Sequence, residues 1–367
     1  MSATARRSVQ MERPIRVLVI DDSAVAREVL TLVLRHHGFD VTTASNAELA
    51  TQRIAQHHPD VLLLDLELPG RSGLDFLEHQ MRTSPMPVVV CSSIAQRGTA
   101  AAIRALELGA LEVLPKPALG IRALLGSTEV AIGDVIHAAA ASRSQLAASR
   151  TPVLHIEDRK SKPMVVGVTP WYGKVVVIGS STGGTEALRA IISRLPVDAP
   201  PIVIAQHMPG AFTGAFARRL NAFSKLQVRE ATDGEVLQTG TVLIAPGGRH
   251  IEFQLTSGVI RVRVYDGPTV SGHRPSVDVL FHSAARLLAR RAVGVLLTGM
   301  GADGAAGMLE LRESGGQTIA QDEATCVVYG MPKEAVALNA VQRILPLDAI
   351  APGIMEAASA DADAVAS

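Results

Sequence analysis

The run Lys174 to Thr185, KVVVIGSSTGGT, delivers a serine to the corner where a strand hands over to a helix. Four apolar β-formers read as a buried strand, and the Gly-Ser-Ser-Thr-Gly-Gly turn after them would present a hydroxyl at its tip, a position suited to acyl chemistry. Gly179-Ser180-Ser181-Thr182-Gly183 fits the G-x-S-x-G pattern with Ser181 at its centre. Such a serine needs a base and an acid to orient that base. His207, in QHMP, follows the apolar run PIVIAQ, and Asp303, in LTGMGADG, follows AVGVLLTG, so both fall on the edge of strand ends that carries Ser181. Rivals exist for each role: Ser180 for the nucleophile, His250, His273 and His282 for the base, and Asp278 for the acid. Asp278 opens an apolar helical stretch, where a carboxylate favours the helix dipole. Thr182 can cap the helix after the turn, and backbone N–H groups around Gly183-Gly184 and Met300-Gly301 are candidate oxyanion donors. Glycine-rich turns also cradle phosphates, but no P-loop lysine and no G-x-G-x-x-G follows this strand.

A second group of chemistry-bearing residues lies in the first half. Asp21 and Asp22 follow the apolar run IRVLVI, Asp65 ends VLLLD, Ser92 and Ser93 follow PVVVC, and Lys116 follows LEVL. If these runs are parallel strands, all the named side chains surround one spot at their carboxyl ends. Three clustered carboxylates repel one another unless a hard cation sits among them, and an all-oxygen ligand set points to Mg²⁺. Asp65 can then act as nucleophile toward a phosphoryl donor, with Lys116 as a point charge and Ser92 as a hydroxyl partner.

The elements that would position both groups alternate short apolar runs with amphipathic stretches, a βαβ pattern that predicts α/β architecture in each half. From Ile15 onward, helical stretches are expected at Ser23 to Arg35, Leu74 to Met81 and Thr99 to Leu108. After Lys116 the pattern loosens, and Ala138 to Val168 reads as a last helix followed by a linker. From Trp171 five buried-type strands resume, with helices expected at Glu186 to Arg194, Gly214 to Ser224 and Val279 to Arg290. Alternation on either side of Ser257-Gly258 predicts an antiparallel hairpin. With 367 residues, 47% hydrophobic, the chain can bury two cores, while 35 basic against 35 acidic side chains give no field that would draw nucleic acid or an anionic membrane. Cys91 and Cys326, one in each half beside apolar runs, suit reduced packing residues and a cytoplasmic setting. Arg6 and Arg7 have no apolar stretch behind them, and no run approaches the ~18–20 residues of a spanning helix, so neither secretion nor direct membrane insertion is expected.

On these residues the first ~120 positions resemble the receiver domain of two-component response regulators. Asp21 and Asp22 match the acidic pair, Asp65 the phospho-acceptor, Ser92 the hydroxyl and Lys116-Pro117 the Lys-Pro dipeptide, with Pro69 and Gly73 in the loop after the acceptor. One position departs from the pattern: Val113 stands where receivers usually carry an aromatic that reports phosphorylation. In the second half VIGSSTGGTEAL, AQHMP, LIAPGGRHI, HRPSVDVLFHSAA, LTGMGADGAAGML and IAQDEATCVVYGMPKEAV are similar to the catalytic domain of chemotaxis protein-glutamate methylesterases. That resemblance implies Ser181 as nucleophile, His207 as base and Asp303 as orienting acid. It also implies a layout of a flavodoxin-like receiver with a five-stranded parallel sheet (13–135), a linker (136–170), a doubly wound, mostly parallel catalytic domain with an appended hairpin (171–356) and a disordered tail (357–367). The activity implied is hydrolysis of γ-glutamyl methyl esters on chemoreceptors, in many members with deamidation of receptor glutamines, under control of a histidine kinase that phosphorylates Asp65. Mg²⁺ would serve the receiver, and no cofactor the esterase reaction. Two other classes compete: a binding module whose second domain has lost catalysis, which the intact serine, histidine and aspartate argue against, and a DNA-binding regulator, which the even charge balance disfavours.

Overall fold

The computed structural model describes residues 13–92, 100–116 and 173–359, together with 132–133, 135–137, 139 and 140. In the first half, β1 (Arg16–Ile20), α1 (Ala24–His36), β2 (Asp40–Ala44), α2 (Ala47–His57), β3 (Val61–Leu64), α3 (Gly73–Thr83), β4 (Val88–Ser92), α4 (Ala100–Glu107) and β5 (Glu112–Pro115) follow in chain order. All strand pairs are parallel, in the order β2-β1-β3-β4-β5. Alternate residues enter opposite cores: Leu18, Ile20, Leu62, Leu64, Val88 and Val90 face one side, and Val17, Val19, Val61, Leu63, Val89 and Cys91 the other. This two-residue period, apolar on both faces, is what a sheet covered by helices on each side requires. Helix α1 begins where Ser23 accepts a hydrogen bond from the Ala26 N–H, and α2 where Asn46 accepts one from Leu49.

The second half runs β6 (Val175–Ser180), α5 (Gly184–Ile192), β7 (Ile202–Gln206), α6 (Gly210–Phe223), β8 (Gln227–Glu230), β9 (Thr241–Ile244), β10 (His250–Thr256), β11 (Val259–Tyr265), α7 (Val277–Leu287), β12 (Ala292–Leu296), α8 (Ala305–Glu313), β13 (Gln317–Gln321), α9 (Met331–Ala337), β14 (Arg343–Leu345) and α10 (Leu347–Ser359). Seven of these strands form a parallel sheet in the order β14-β13-β12-β6-β7-β9-β8. The chain enters at β6, fills one side through β7, β9 and β8, then returns to fill the other from β12. The winding therefore reverses between β6 and β12, and a crevice opens at the carboxyl ends there.

The hairpin β10–β11 stands as its own two-stranded sheet, pairing Thr256 with Val259 across the turn. Ser257 at φ 51° and Gly258 at φ 77° are both left-handed, as a two-residue type I′ turn demands. Its apolar face, Ile251, Phe253, Val262 and Val264, packs in one core with α7.

The expected linker lies outside the described residues except at 136, 137, 139 and 140, where the chain is helical. Ile136 and Ala139 are buried in the same core as Val17, Val19, Val61 and Leu63. Of the expected tail, Ala357 to Ser359 continue α10 because Ala357 is buried; residues 360–367 lie outside the described residues, as do Ser93 and Pro117. Both cysteines are buried, and neither is in a disulfide.

The two domains touch. Helix α4 lies against α6, with Leu106 in the same core as Met208, Phe212 and Phe216. Val327, in the loop after β13, packs on the first domain's second core.

Candidate active site

The sheet order sets Ser181, His207 and Asp303 on neighbouring strand ends, since β6 lies between β7 and β12. Ser180 pairs with Gln206 in the β6–β7 register, so Ser181 and His207 leave the sheet side by side. The His207 N–H donates to the Ser180 carbonyl at 3.0 Å, and the Ser181 N–H to the Thr298 carbonyl at 3.0 Å. Ser180 is fully buried and donates its hydroxyl to Gln206 Oε1 at 2.6 Å, whereas Ser181 keeps partial exposure. Strand alternation thus directs Ser181 outward and spends Ser180 on structure.

Gln206 holds the corner together. Its Nε2 donates to the Ser181 carbonyl at 2.9 Å and to the His207 carbonyl at 3.1 Å. Gly183, at φ 78°, starts α5 in a left-handed turn, and a side chain there would run into Val327.

His207 Nε2 meets Asp303 Oδ2 at 2.8 Å. The opposite ring nitrogen, Nδ1, is buried with no hydrogen-bond partner among the described residues. Asp303 is saturated on both oxygens: the Ser276 hydroxyl at 2.8 Å and the Asp278 N–H at 3.0 Å donate to Oδ1, and the Val277 N–H at 2.8 Å donates to Oδ2. These two N–H groups are orphan donors of the first turn of α7, so the helix terminus favours a charge on this acid. Burial alone would raise the Asp303 carboxyl, but His207 and the backbone donors hold it down at about 2.

The competing residues have other employment. Asp278 accepts from the Gly307 N–H at 2.8 Å and ties α7 to α8. The ring of His250 lies within hydrogen-bonding distance of the Pro268 carbonyl and the Ser276 N–H. His282 pairs with Glu310 at the surface. His273 alone joins the site, its ring stacked on that of His207. Burial, and then the neighbouring His207, lower its ring to about 4, so it is neutral near pH 7.

The N–H groups of Thr182, Gly183, Met300 and Gly301 find no acceptor among the described residues, which leaves them available to a developing oxyanion. Thr298 braces this rim by donating its hydroxyl to the Thr182 carbonyl at 3.0 Å. Gln206, Ser276 and Thr298 had no signal in the sequence beyond residence in the same blocks, because each acts through a contact between distant segments, while His273, a rival for the base in the sequence, joins the site as the ring stacked on His207.

In the first domain, Lys116 Nζ lies 2.7 Å from Asp21 Oδ2 and 2.6 Å from Asp65 Oδ2. Asp21 and Asp65 are buried, Asp22 is exposed, and oxygens of all three come within 4.8 Å of one another. Burial raises the Asp21 carboxyl, an effect that Lys116 partly offsets. For Lys116, burial works toward a lower value, but the two carboxylates outweigh it and raise the ammonium. Ser92 Oγ is buried at the end of β4 without a hydrogen-bond partner among the described residues. Three acidic oxygens within 4.8 Å of one another fit a hard divalent cation.

Both halves of the chain are similar to known proteins. The CheB methylesterase family matches residues 176–354, and the response regulator receiver domain family residues 17–126. A protein-glutamate methylesterase/protein-glutamine glutaminase of Anaeromyxobacter dehalogenans is 49% identical over 349 residues, covering 94% of this chain and 96% of that one. One from Salmonella typhi is 44% identical over 348 residues, covering 94% and 97%. The crystal structure of the Thermotoga maritima CheB methylesterase catalytic domain is 42% identical, with TM-score 0.49, and covers 50% of this chain and 98% of that one.

Proposed function

Because the chain belongs to the CheB methylesterase family and joins that domain to a response regulator receiver domain, we propose that it hydrolyses γ-methyl esters of glutamate on chemoreceptors, with Ser181, His207 and Asp303 as its catalytic residues. The observation that carries the reading is the His207 ring, fixed by Asp303 on one nitrogen and left buried and unpartnered on the other.

His207 Nδ1 takes the proton of Ser181 as the serine oxygen bonds to the ester carbonyl carbon. The N–H groups at Thr182, Gly183, Met300 and Gly301 receive the negative oxygen. The carbon–methoxy bond breaks, the imidazolium returns its proton to the leaving group, and methanol departs. Water, deprotonated by the same nitrogen, then cleaves the glutamyl-serine ester to free glutamate and Ser181. Asp303 fixes the tautomer and stabilises the cation throughout. A receptor glutamine would follow the same course with ammonia as leaving group, the second activity named for the relatives.

Control runs through Asp65, whose carboxylate oxygen attacks the phosphorus of a donor such as the phosphohistidine of a histidine kinase; the phosphorus–nitrogen bond breaks and the donor's imidazole leaves. Asp21, Asp22 and Asp65 are the residues that would hold Mg²⁺, which when bound offsets charge on the phosphoryl oxygens, while Lys116 and Ser92 meet those oxygens. The closed arrangement, with α4 on α6, supports a receiver that restrains the esterase until phosphorylation shifts the balance. No helix among the described residues is long and apolar enough to cross a membrane, and we place the protein in the cytoplasm beside its receptor substrates. The deciding experiment is methanol release from a methylated receptor fragment, with and without a small phosphodonor. Release should rise with the donor and fall by a factor of order 10³ or more in Ser181→Ala; equal release by that variant would discard the mechanism.

A further inference from the structure

A peptide unit is planar and trans, so its N–H points opposite to its carbonyl. Whatever holds the carbonyl therefore aims the N–H of the same unit. The turn after β6 has two consecutive units held in this way. The Ser181 carbonyl accepts from Gln206 Nε2 at 2.9 Å and from the Gly184 N–H at 2.8 Å, and it shares its plane with the Thr182 N–H. The Thr182 carbonyl accepts from the Thr298 hydroxyl at 3.0 Å, and it shares its plane with the Gly183 N–H. Gln206 and Thr298 are both buried, so each N–H is directed away from the interior side on which its carbonyl is held.

Each anchor is itself fixed as a donor. The carbonyls of Ser181 and His207 can only accept, so the end of the Gln206 amide that faces them is Nε2, and the Ser180 hydroxyl closes the other end, Oε1, at 2.6 Å. The Thr298 hydroxyl has one proton and two carbonyls in reach, Thr182 at 3.0 Å and Val328 at 3.3 Å. The Val328 carbonyl already accepts from the Gly299 N–H at 3.0 Å, and the Val328 N–H donates to the Thr298 oxygen at 2.9 Å. The proton is thereby left for Thr182. Val327 completes the fit, lying so close to Gly183 that an added Cβ would come within 2.5 Å of the Val327 Cβ.

We propose that Thr298 is a positioning residue for the reaction: its hydroxyl aims the Gly183 N–H at the oxygen that turns negative when Ser181 adds to the ester, as Gln206 does for the Thr182 N–H. An N–H already aimed needs no reorientation as the charge develops, whereas a peptide unit free to rock would have to turn with it. This rests on the methylesterase reading. It also gives threonine a reason at a buried position where valine has nearly the same shape and no hydroxyl to desolvate.

The test is Thr298→Val in the full chain with phosphodonor, which exchanges the hydroxyl for a methyl group of similar size. The kcat for methanol release should fall by about 30-fold while KM stays within about two-fold, because only the transition state carries the negative oxygen. Thr298→Ser, which keeps the donor and drops the methyl, should hold kcat within about three-fold of wild type. The pH midpoint of kcat should be common to these chains, since His207 and Asp303 are untouched. Thr298→Cys, whose thiol is a weak donor, carries the same expectation as the valine variant should that one fail to fold. The assignment is overturned by a kcat within about three-fold of wild type in the valine or cysteine chain, or by a serine chain as slow as either. A loss that moves KM or the pH midpoint overturns it too, since a general loosening of the site would produce that. Absence of methanol release from wild type, with or without phosphodonor, would instead sink the methylesterase reading on which the proposal stands.

Discussion

The imidazole of His273 lies face to face with that of His207, with 3.7 Å between ring centroids and 8° between planes. Asp303 fixes one atom of His207, which still allows the ring to swing about that hydrogen bond; the stacked neighbour removes this freedom. His273 can do so only while neutral, since two adjacent imidazolium rings would repel. Its ring is held at about 4, below the ordinary histidine value, so protonation is disfavoured in the folded state. The sign follows: as pH falls below the unfolded value near 6.5, unfolded chains take up a proton that the folded chain refuses, and stability erodes until about 4. His273→Ala should lower kcat by about 10-fold with little change in KM, while His273→Phe, which keeps a stacking face, should retain most of the rate. Equal losses in both variants would show that stacking is not what the ring contributes.

Asp303 has a pH signature of the same sign, in a lower window. Its carboxyl, held at about 2 against an ordinary value of 3.8, contributes stability that is present above 3.8 and lost as pH falls from there through 2, worth about 2 kcal/mol for a shift of this size. Asp303→Asn should therefore lose its stability deficit relative to wild type as chemical denaturation is repeated at pH 5, 4 and 3. In kcat the same variant should fall by about 10³–10⁴, because an amide no longer fixes the imidazole tautomer or balances its charge.

The two serines of the turn should separate cleanly. Ser180→Ala removes a hydroxyl that satisfies Gln206 inside the protein, leaving a buried amide oxygen short of a partner at a cost of about 1–3 kcal/mol. Its methanol release, measured well below its unfolding temperature, should stay within about one order of magnitude of wild type. Ser181→Ala should do the reverse, losing turnover and keeping its denaturation midpoint. Interchanged outcomes would assign the nucleophile to Ser180.

Much of this site was legible because a parallel sheet sends every strand's carboxyl end to one edge, so that VVVIGS, IVIAQH and VGVLLTG announced Ser181, His207 and Asp303 through apolar runs alone. Strands without such runs escaped. β2 reads DVTTA, β8 reads QVRE, and β14 has only three residues; all three are edge strands, half wet, where burial does not enforce an apolar sequence. Helix α6 begins at Gly210, four residues before the expected Gly214, because Phe212 and Thr213 are buried ahead of the amphipathic stretch. Asp278 was rightly set at a helix start, yet that terminus favours a carboxylate from elsewhere: its own N–H and that of Val277 go to Asp303.

Lys116 bridges Asp21 and Asp65 with contacts of 2.7 and 2.6 Å, standing where a cation is needed whether or not a phosphoryl group has arrived. Lys116→Ala should leave two buried carboxylates facing each other and lower stability by about 1–3 kcal/mol, less than for a fully buried pair because the ammonium keeps some solvent. A divalent cation bound by Asp21, Asp22 and Asp65 would relieve that repulsion, so Mg²⁺ should raise the melting temperature of the variant by more than that of wild type, and Ca²⁺-free, chelator-treated protein should show the largest gap between them. Activation by a phosphodonor should be lost in Asp65→Asn and in the presence of chelator, while basal methanol release persists in both. A melting temperature indifferent to Mg²⁺ in wild type and variant alike would show that the three carboxylates do not share a cation.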